Sequence, residues 1–123
     1  MKTTVTVIED DDDQRRLVSL SLEAAGYFVI PVSLEDDLVL EVKRNPTDIY
    51  LIDINLGLLN GCDLCRLLKS EFSDRASPFI VVVSAHPDAV GLADEAGADD
   101  VLLKPFTSKQ LLSAMSNYSP QAA

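Results

Sequence analysis

Five polar side chains stand directly after short apolar runs, and their types suit phosphoryl chemistry. They are Glu9 and Asp10 after the first run, Asp53 after the third, Ser84 after the fourth and Lys104 after the fifth. Three carboxylates brought together repel one another unless a cation lies among them. A small set of oxygen ligands suits Mg²⁺, which keeps several waters and shares phosphate oxygens. A lysine and a hydroxyl opposite that ion suit the oxygens of a phosphoryl group. A carboxylate, here the central Asp53, can be the nucleophile that accepts it.

The elements that must position these residues are five strand-like runs alternating with five helix-like segments. The runs are continuous and rich in Val, Ile, Tyr and Phe, as strands buried on both faces are, and cover residues 4–8, 27–30, 49–52, 79–83 and 101–103. The helical patterns cover residues 13–25, 34–44, 62–71, 88–96 and 108–117. This alternation predicts an α/β domain with a parallel sheet covered by helices on both faces. Ligands of such sheets bind beyond the carboxyl ends of the strands, where these five polar residues stand.

The helical segments carry start signals and apolar stripes. Asp11, Asp12 and Asp13 are predicted to open the first helix, whose dipole favours anions. Leu17, Leu20 and Ala24 form a stripe that is predicted to face the core. In the second segment Leu38 and Val42 share one face, and in the fifth Thr107 and Gln110 fit a capping box.

Composition narrows the class of protein. The chain has 123 residues, the length of one domain, and a net charge of −10, which disfavours direct binding of nucleic acid. No apolar run approaches the roughly 20 residues of a membrane span. The start "MKTTVTVIED" lacks the apolar region of a signal peptide. These features predict a cytoplasmic protein without membrane insertion.

The two cysteines, Cys62 and Cys65, have the C-x-x-C spacing of redox pairs. They lie in an amphipathic helical pattern, where cysteine behaves as a small hydrophobe. A zinc site would need two more ligands, and His86 is the only histidine. The sequence therefore favours packing over redox or metal chemistry for this pair.

Along essentially its whole length the chain resembles the receiver domain of bacterial two-component response regulators. The stretches that carry the resemblance are "VIEDDDDQRRLVSLSLEAAGY", "DIYLIDINLGLLNG", "IVVVSAH" and "GADDVLLKPF". The resemblance implies a flavodoxin-like (βα)5 three-layer sandwich with a parallel five-stranded sheet of order 2-1-3-4-5. We expect a receiver domain over residues 1–117 and a short C-terminal tail over 118–123, with no output domain. Whether the chain is a stand-alone regulator or part of a longer protein stays open.

The resemblance also implies a role for each acidic residue. Asp53 would accept a phosphoryl group from a phosphohistidine on a sensor histidine kinase or a histidine phosphotransfer protein. Asp10 and Asp53 would ligate Mg²⁺ directly, together with the backbone carbonyl of Asn55. Glu9 would act on the ion through water.

The remaining site residues belong to the switch that the resemblance implies. Ser84 matches the switch hydroxyl, and Lys104 matches the lysine that pairs with the acceptor aspartate or its phosphate. The Lys104–Pro105 peptide is expected to be cis. Asn55 and His86 stand at the two positions that tune how long the phosphoryl group lasts.

One departure concerns the output. The family commonly has an aromatic residue on the fifth strand, which moves inward with the switch hydroxyl, and this chain has Val101 there. Val101 cannot signal by a ring flip. The resemblance otherwise implies a signalling phosphoacceptor rather than an enzyme, a protein as downstream target, and a homodimer through the last helix and strand as an option.

Three other functions compete with this interpretation. A phosphorylation-independent receiver-like interaction module should have lost at least one member of the polar set. A phosphohydrolase with an aspartyl-phosphate intermediate is a candidate because "DIN" is similar to an acidic D-x-D nucleophile motif. The chain is short for a cap, however, and Asp53 follows the third strand rather than the first. An FMN carrier shares the fold, but the five carboxylates over residues 9–13 would repel the FMN phosphate.

Overall fold

A parallel sheet of five strands forms the centre of the fold. The computed structural model describes residues 2–33, 37–57, 59–71 and 78–119. The sheet strands are β1 (Thr4–Ile8), β2 (Phe28–Val32), β3 (Ile49–Asp53), β6 (Phe79–Ser84) and β7 (Asp100–Leu103). Two further short strands, β4 (Asn55–Leu56) and β5 (Leu59–Asn60), pair only with each other. The main sheet has the order β2-β1-β3-β6-β7. Because β4 and β5 lie outside this sheet, β6 and β7 are its fourth and fifth strands, and the expected order 2-1-3-4-5 is confirmed.

Five helices cover the two faces of the sheet and make three layers. They are α1 (Asp12–Ala24), α2 (Leu38–Arg44), α3 (Gly61–Glu71), α4 (Ala89–Ala96) and α5 (Ser108–Ser116). One apolar core cluster joins the sheet to α2, α3 and α4, and a second joins it to α1 and α5. Alternate residues of each strand enter opposite clusters, as Leu51 and Ile52 of β3 do. The flavodoxin-like (βα)5 fold is thus confirmed.

The second strand is longer than the sequence predicts. We expected residues 27–30, but β2 continues through Pro31 to Val32, with Val7 opposite Pro31 in the register. Proline has no N–H to donate and is tolerated on edge strands. Because β2 lies at the edge of the sheet, Pro31 does not interrupt it.

The core-facing side of α1 differs from the prediction. Leu17 and Leu20 are 60% and 54% exposed, whereas Val18 and Leu22 are buried in the core. The helix carries two apolar stripes, one residue out of phase, and periodicity alone cannot choose between them. The prediction for Leu38 and Val42 of α2 is confirmed, since both are buried. Residues 34–36 of the predicted second helix lie outside the described residues.

Helix ends follow the predicted chemistry. Asp11 is the N-cap of α1, and its side chain accepts a hydrogen bond from the Gln14 N–H at 3.0 Å. Thr107 and Gln110 form the expected capping box at the start of α5. Gly97 is the C-cap that follows α4, and it has a left-handed φ of 81° that glycine adopts without a Cβ penalty.

Cys62 and Cys65 are buried between α3 and α4. Their thiols donate to the carbonyl oxygens of Leu92 and Ala96 at 3.7 and 3.5 Å. Burial raises the pKa of both thiols, that of Cys65 to about 11, so the reactive thiolate is disfavoured. The packing interpretation of these cysteines is confirmed.

Within the ranges that the structure describes, no helix combines the length and the apolar character needed to cross a bilayer.

Candidate functional site

The predicted site residues meet in one cleft at the carboxyl edge of the sheet. Asp53 ends β3 and Ser84 ends β6, while Glu9 and Lys104 directly follow β1 and β7. Glu9, Asp53 and Ser84 are only 7%, 6% and 5% exposed. The cleft is lined by all five predicted residues and, among others, by Asn55 and His86. The parallel sheet therefore brings together residues that are far apart in the chain.

Lys104 is the cation that joins the two buried carboxylates. Its Nζ donates to Asp53 Oδ2 at 2.7 Å and to Glu9 Oε1 at 3.2 Å. Its backbone N–H donates to the Ser84 carbonyl at 2.9 Å, which fixes the end of β7 beside β6. Burial opposes its charge, but the hydrogen bonds to Asp53 and Glu9 raise the pKa of Lys104 overall. Lys104 is therefore held charged at the site. The expected cis peptide joins it to Pro105.

Asp53 is held at both carboxylate oxygens. Oδ1 accepts a hydrogen bond from the Asn55 N–H at 2.9 Å, and Oδ2 accepts from Lys104. The Ile54 N–H donates to the Val83 carbonyl at 3.0 Å and so continues the β3–β6 pairing past Asp53. The orientation of Asp53 is thus set by the backbone that follows it and by one lysine.

The acidic cluster has the geometry of a cation site. Glu9, Asp10 and Asp53 each offer a carboxylate oxygen, and these three oxygens lie within 4.8 Å of one another. Asp10 is exposed, whereas the other two are buried. Glu9 Oε2 is buried and has no hydrogen-bond partner among the described residues. A buried carboxylate oxygen without a partner costs free energy that a divalent ion or its water would offset. The donor set therefore fits a hard divalent cation such as Mg²⁺.

Ser84 and His86 form a short chain of hydrogen bonds beside the cleft. The Ser84 hydroxyl accepts from the His86 N–H at 2.9 Å, and His86 Nδ1 accepts from the Asp88 N–H at 3.0 Å. His86 thus accepts a hydrogen bond from the N-cap residue of α4, and the side chain of that residue, Asp88, makes no capping hydrogen bond itself. Val101, the departure from the family pattern, is half-buried and packs against the core cluster on the α3 and α4 side.

Two features of the site were absent from the sequence-based prediction. The first is the hairpin of β4 and β5, in which Asn55 pairs with Asn60 and Leu56 with Leu59. Gly57 supplies the left-handed φ of 69° at its turn. The second is Gly61, whose backbone lies against the peptide of Asp53. The dipeptide Asn60-Gly61 was the available signal, since Asn-Gly marks turns.

Burial gives Glu9 a pH-dependent effect on stability. Desolvation, followed by the neighbouring Asp53, raises the pKa of Glu9 from 4.5 to about 7. Between these values the folded state keeps a proton that the unfolded chain has released. The free energy of unfolding therefore falls as the pH rises from about 4.5 through 7.

We expect Glu9→Gln to stabilise the protein by about 2 kcal/mol at pH 8 without divalent ions, because the amide carries no charge to desolvate. Its carbonyl oxygen can still accept from Lys104. The gain should shrink toward pH 5. It should also shrink in MgCl₂, because the charged Glu9 of wild type would gain more from the ion than the neutral amide does. Chemical denaturation across pH measures it, and Glu23→Gln on the exposed part of α1 is the charge-matched control. An equal gain for both variants would contradict the prediction.

A flavodoxin-like domain with an acidic, lysine-bearing site at the carboxyl edge of its sheet is the class that these observations define. Comparisons with known proteins identify the family. A family model of the response regulator receiver domain matches residues 5–116. The structure resembles that of the chemotaxis protein CheY4 of Vibrio cholerae, with a TM-score of 0.86 and 21% identity, covering 97% of this chain and 100% of that one.

Two response regulators are similar in sequence. The DNA-binding response regulator MtrA of Mycobacterium tuberculosis is 31% identical over 114 residues, which cover 91% of this chain and 48% of MtrA. The transcriptional regulatory protein CseB of Streptomyces avermitilis is 36% identical over 115 residues, which cover 90% of this chain and 46% of CseB. The chain spans about half the length of these curated relatives.

The chain belongs to the response regulator receiver domain family. Response regulators act in two-component systems together with sensor histidine kinases.

Proposed function

We propose that this domain takes a phosphoryl group onto Asp53 from the phosphohistidine of a sensor histidine kinase or a histidine phosphotransfer protein. One observation carries the proposal: Glu9, Asp10 and Asp53 place carboxylate oxygens within 4.8 Å of one another, and Lys104 donates to Asp53 at 2.7 Å. The carboxylate can form an acyl phosphate, because the cation site and the ammonium group of Lys104 can offset the negative charge of the incoming phosphoryl group. The receiver domain would occupy residues 1–117.

The transfer is a displacement at phosphorus. An Asp53 oxygen forms the new P–O bond as the P–N bond to the donor imidazole breaks, and the imidazole keeps the electron pair and takes a proton. Lys104 offsets the charge on the phosphoryl oxygens, and the Asn55 N–H orients the acceptor. Mg²⁺, when bound by Asp10, Asp53 and the Asn55 carbonyl, with Glu9 acting through water, would neutralise further charge there. The donor is already reactive, so positioning and neutralisation are the domain's contribution.

Ser84 would convert the modification into a change of surface. Its hydroxyl accepts from the His86 N–H and lines the same cleft as Asp53. Turning toward a phosphoryl oxygen would exchange that hydrogen bond for a charge-assisted one and move the loop that leads into α4. The event biases an existing equilibrium of the surface formed by residues 84–106, and a partner protein reads it.

The partner class follows from charge and redox state. With a net charge of −10 the domain repels phosphate backbones, so we propose a protein rather than nucleic acid as its direct target. MtrA is named as a DNA-binding protein, but the matched region is under half of it. Two free thiols in the core agree with a cytoplasmic location. A homodimer, tested by size-exclusion chromatography with and without beryllofluoride, is a second option for the partner.

Labelling with a small phosphodonor tests the proposal. Acetyl phosphate with MgCl₂ should give a mass increase of about 80 Da in intact-mass spectrometry, and chelating the Mg²⁺ should prevent it. No adduct on wild type would favour a phosphorylation-independent interaction module. Sustained turnover of a phosphate monoester would instead favour a phosphohydrolase. A single stable adduct fits a signalling phosphoacceptor that is not an enzyme.

A further inference from the structure

Arg15 is a partly buried cation beside residues 9–11, the loop between β1 and α1. The proposed phosphoryl transfer gives Arg15 no role. It lies in the first turn of α1, and its side chain is only 17% exposed. Nη1 donates to the backbone carbonyl of Glu9 at 2.8 Å, and Nη2 pairs with the carboxylate of Asp12. The guanidinium thus joins the loop before the helix to the helix itself.

The segment that Arg15 holds carries Glu9 and Asp10, two of the three members of the acidic cluster. Residues 9–11 connect β1 to α1. The end of this segment is fixed by the helix start, where Asp11 accepts from the N–H groups of Gln14 and Arg15. At its beginning, the Arg15 side chain is the helix group that bonds the Glu9 carbonyl. Asp10, the exposed member of the cluster, lies between these two anchors.

We propose that Arg15 is a positioning residue for the cation site, and that it holds the 9–11 segment so that Glu9 and Asp10 present their carboxylates toward Asp53. This inference rests on the proposed function. Groups that orient metal ligands without touching the ion typically contribute about ten- to a hundredfold to metal affinity. The fork of the guanidinium suits the task because it bonds a carbonyl and a carboxylate at once.

The sign of the effect separates positioning from simple electrostatics. Arg15 is a positive charge near an acidic cluster, so by Coulomb's law alone its removal would strengthen cation binding. Loss of positioning would weaken binding instead. Arg16 is the next residue, carries the same charge and is exposed, so Arg16→Gln measures the charge effect alone.

The experiment titrates MgCl₂ into ¹⁵N-labelled wild type, Arg15→Gln, Arg15→Lys and Arg16→Gln and follows the amide chemical shifts of residues 9–11 and 53–55. We expect Arg15→Gln to raise the Mg²⁺ dissociation constant about tenfold. Arg16→Gln should leave the dissociation constant unchanged or lower it slightly. Arg15→Lys should have a dissociation constant between those of wild type and Arg15→Gln, because one ammonium group cannot make both bonds of the guanidinium. Labelling by acetyl phosphate should need more Mg²⁺ in Arg15→Gln and recover at saturating Mg²⁺.

Each result decides between defined alternatives. Arg15→Gln binding Mg²⁺ as tightly as Arg16→Gln, or more tightly, would overturn the positioning role. So would a lower melting temperature with unchanged Mg²⁺ affinity, which indicates a merely structural residue. If wild type itself binds no Mg²⁺, the proposed function fails and this inference fails with it. If Arg15→Gln does not fold, the intermediate affinity expected for Arg15→Lys still decides.

Discussion

Asp53→Asn should abolish phosphoryl labelling of this domain. The neutral amide oxygen is a far weaker nucleophile than a carboxylate, and loss of a nucleophile costs about a thousandfold or more in rate. The fold should persist, because the asparagine amide has the shape of the carboxylate and its single oxygen can still accept one of the two hydrogen bonds that Asp53 accepts, from Lys104 or from the Asn55 N–H. Intact-mass spectrometry after incubation with acetyl phosphate and MgCl₂ measures the labelled fraction.

The control for this prediction is Asp63→Asn. Asp63 is an exposed residue of α3 that pairs with Arg66 at 2.8 Å, outside the residues that line the cleft. This variant should label like wild type, and hydroxylamine should remove the label from both, as expected of an acyl phosphate. Full labelling of Asp53→Asn would show that the acceptor is another residue.

The sheet edge was predictable because parallel topology places all strand ends on one side. Once the apolar runs are taken as parallel strands, the residues that follow them must share an edge, whatever the sequence distance between them. Glu9 and Lys104 are 95 positions apart, yet they lie 3.2 Å from each other. The types of these side chains then indicate the chemistry. The roles of Asp53, Ser84, Asn55 and the metal ligands remain predictions that the labelling and Mg²⁺ experiments test.

Other features could not be predicted from the sequence, because they depend on the packing of helices and strands against one another or leave no pattern in the sequence. Leu17 and Val18 are both apolar, and the packing of α1 against β2 and α5 decides which of them is buried. The β4–β5 hairpin consists of two strands of two residues each, too short for an alternation to show. Arg15 reaches a backbone carbonyl, a target that has no side-chain signature.

Among the residues that the sequence-based prediction did not include, Gly61 is the one whose substitution should affect stability and labelling most. A Cβ at this position would lie 2.1 Å from the Asp53 carbonyl oxygen and 2.8 Å from the Asp53 carbonyl carbon. Both are backbone atoms, so no rotation of a flexible side chain can relieve the overlap. The Gly61 N–H donates to the Ile54 carbonyl at 2.8 Å. This bond joins the residue after the β4–β5 hairpin to the residue after β3. The start of α3 therefore lies directly against the peptide of Asp53.

Gly61→Ala should therefore destabilise the fold by about 3 kcal/mol or more, because the methyl group must push apart two backbone segments in a buried site. Labelling of the remaining folded protein should also slow, since the displaced peptide carries Asp53 and its Oδ1 partner Asn55. Urea denaturation gives the stability. The labelling rate is measured well below the melting temperature, with circular dichroism confirming the folded state.

Gly91→Ala is the matched control for Gly61→Ala. Gly91 lies within α4, and a Cβ there would meet nothing within 4 Å. Because alanine is the better helix former, this variant should gain about 0.5–1 kcal/mol and label at the wild-type rate. The two glycine substitutions add the same methyl group, so opposite signs of the stability change would trace the loss at Gly61 to its contact with Asp53. Equal stability and equal labelling of both variants would mean that the site tolerates a shift of the Asp53 peptide, and the close approach of α3 would then have no part in holding Asp53.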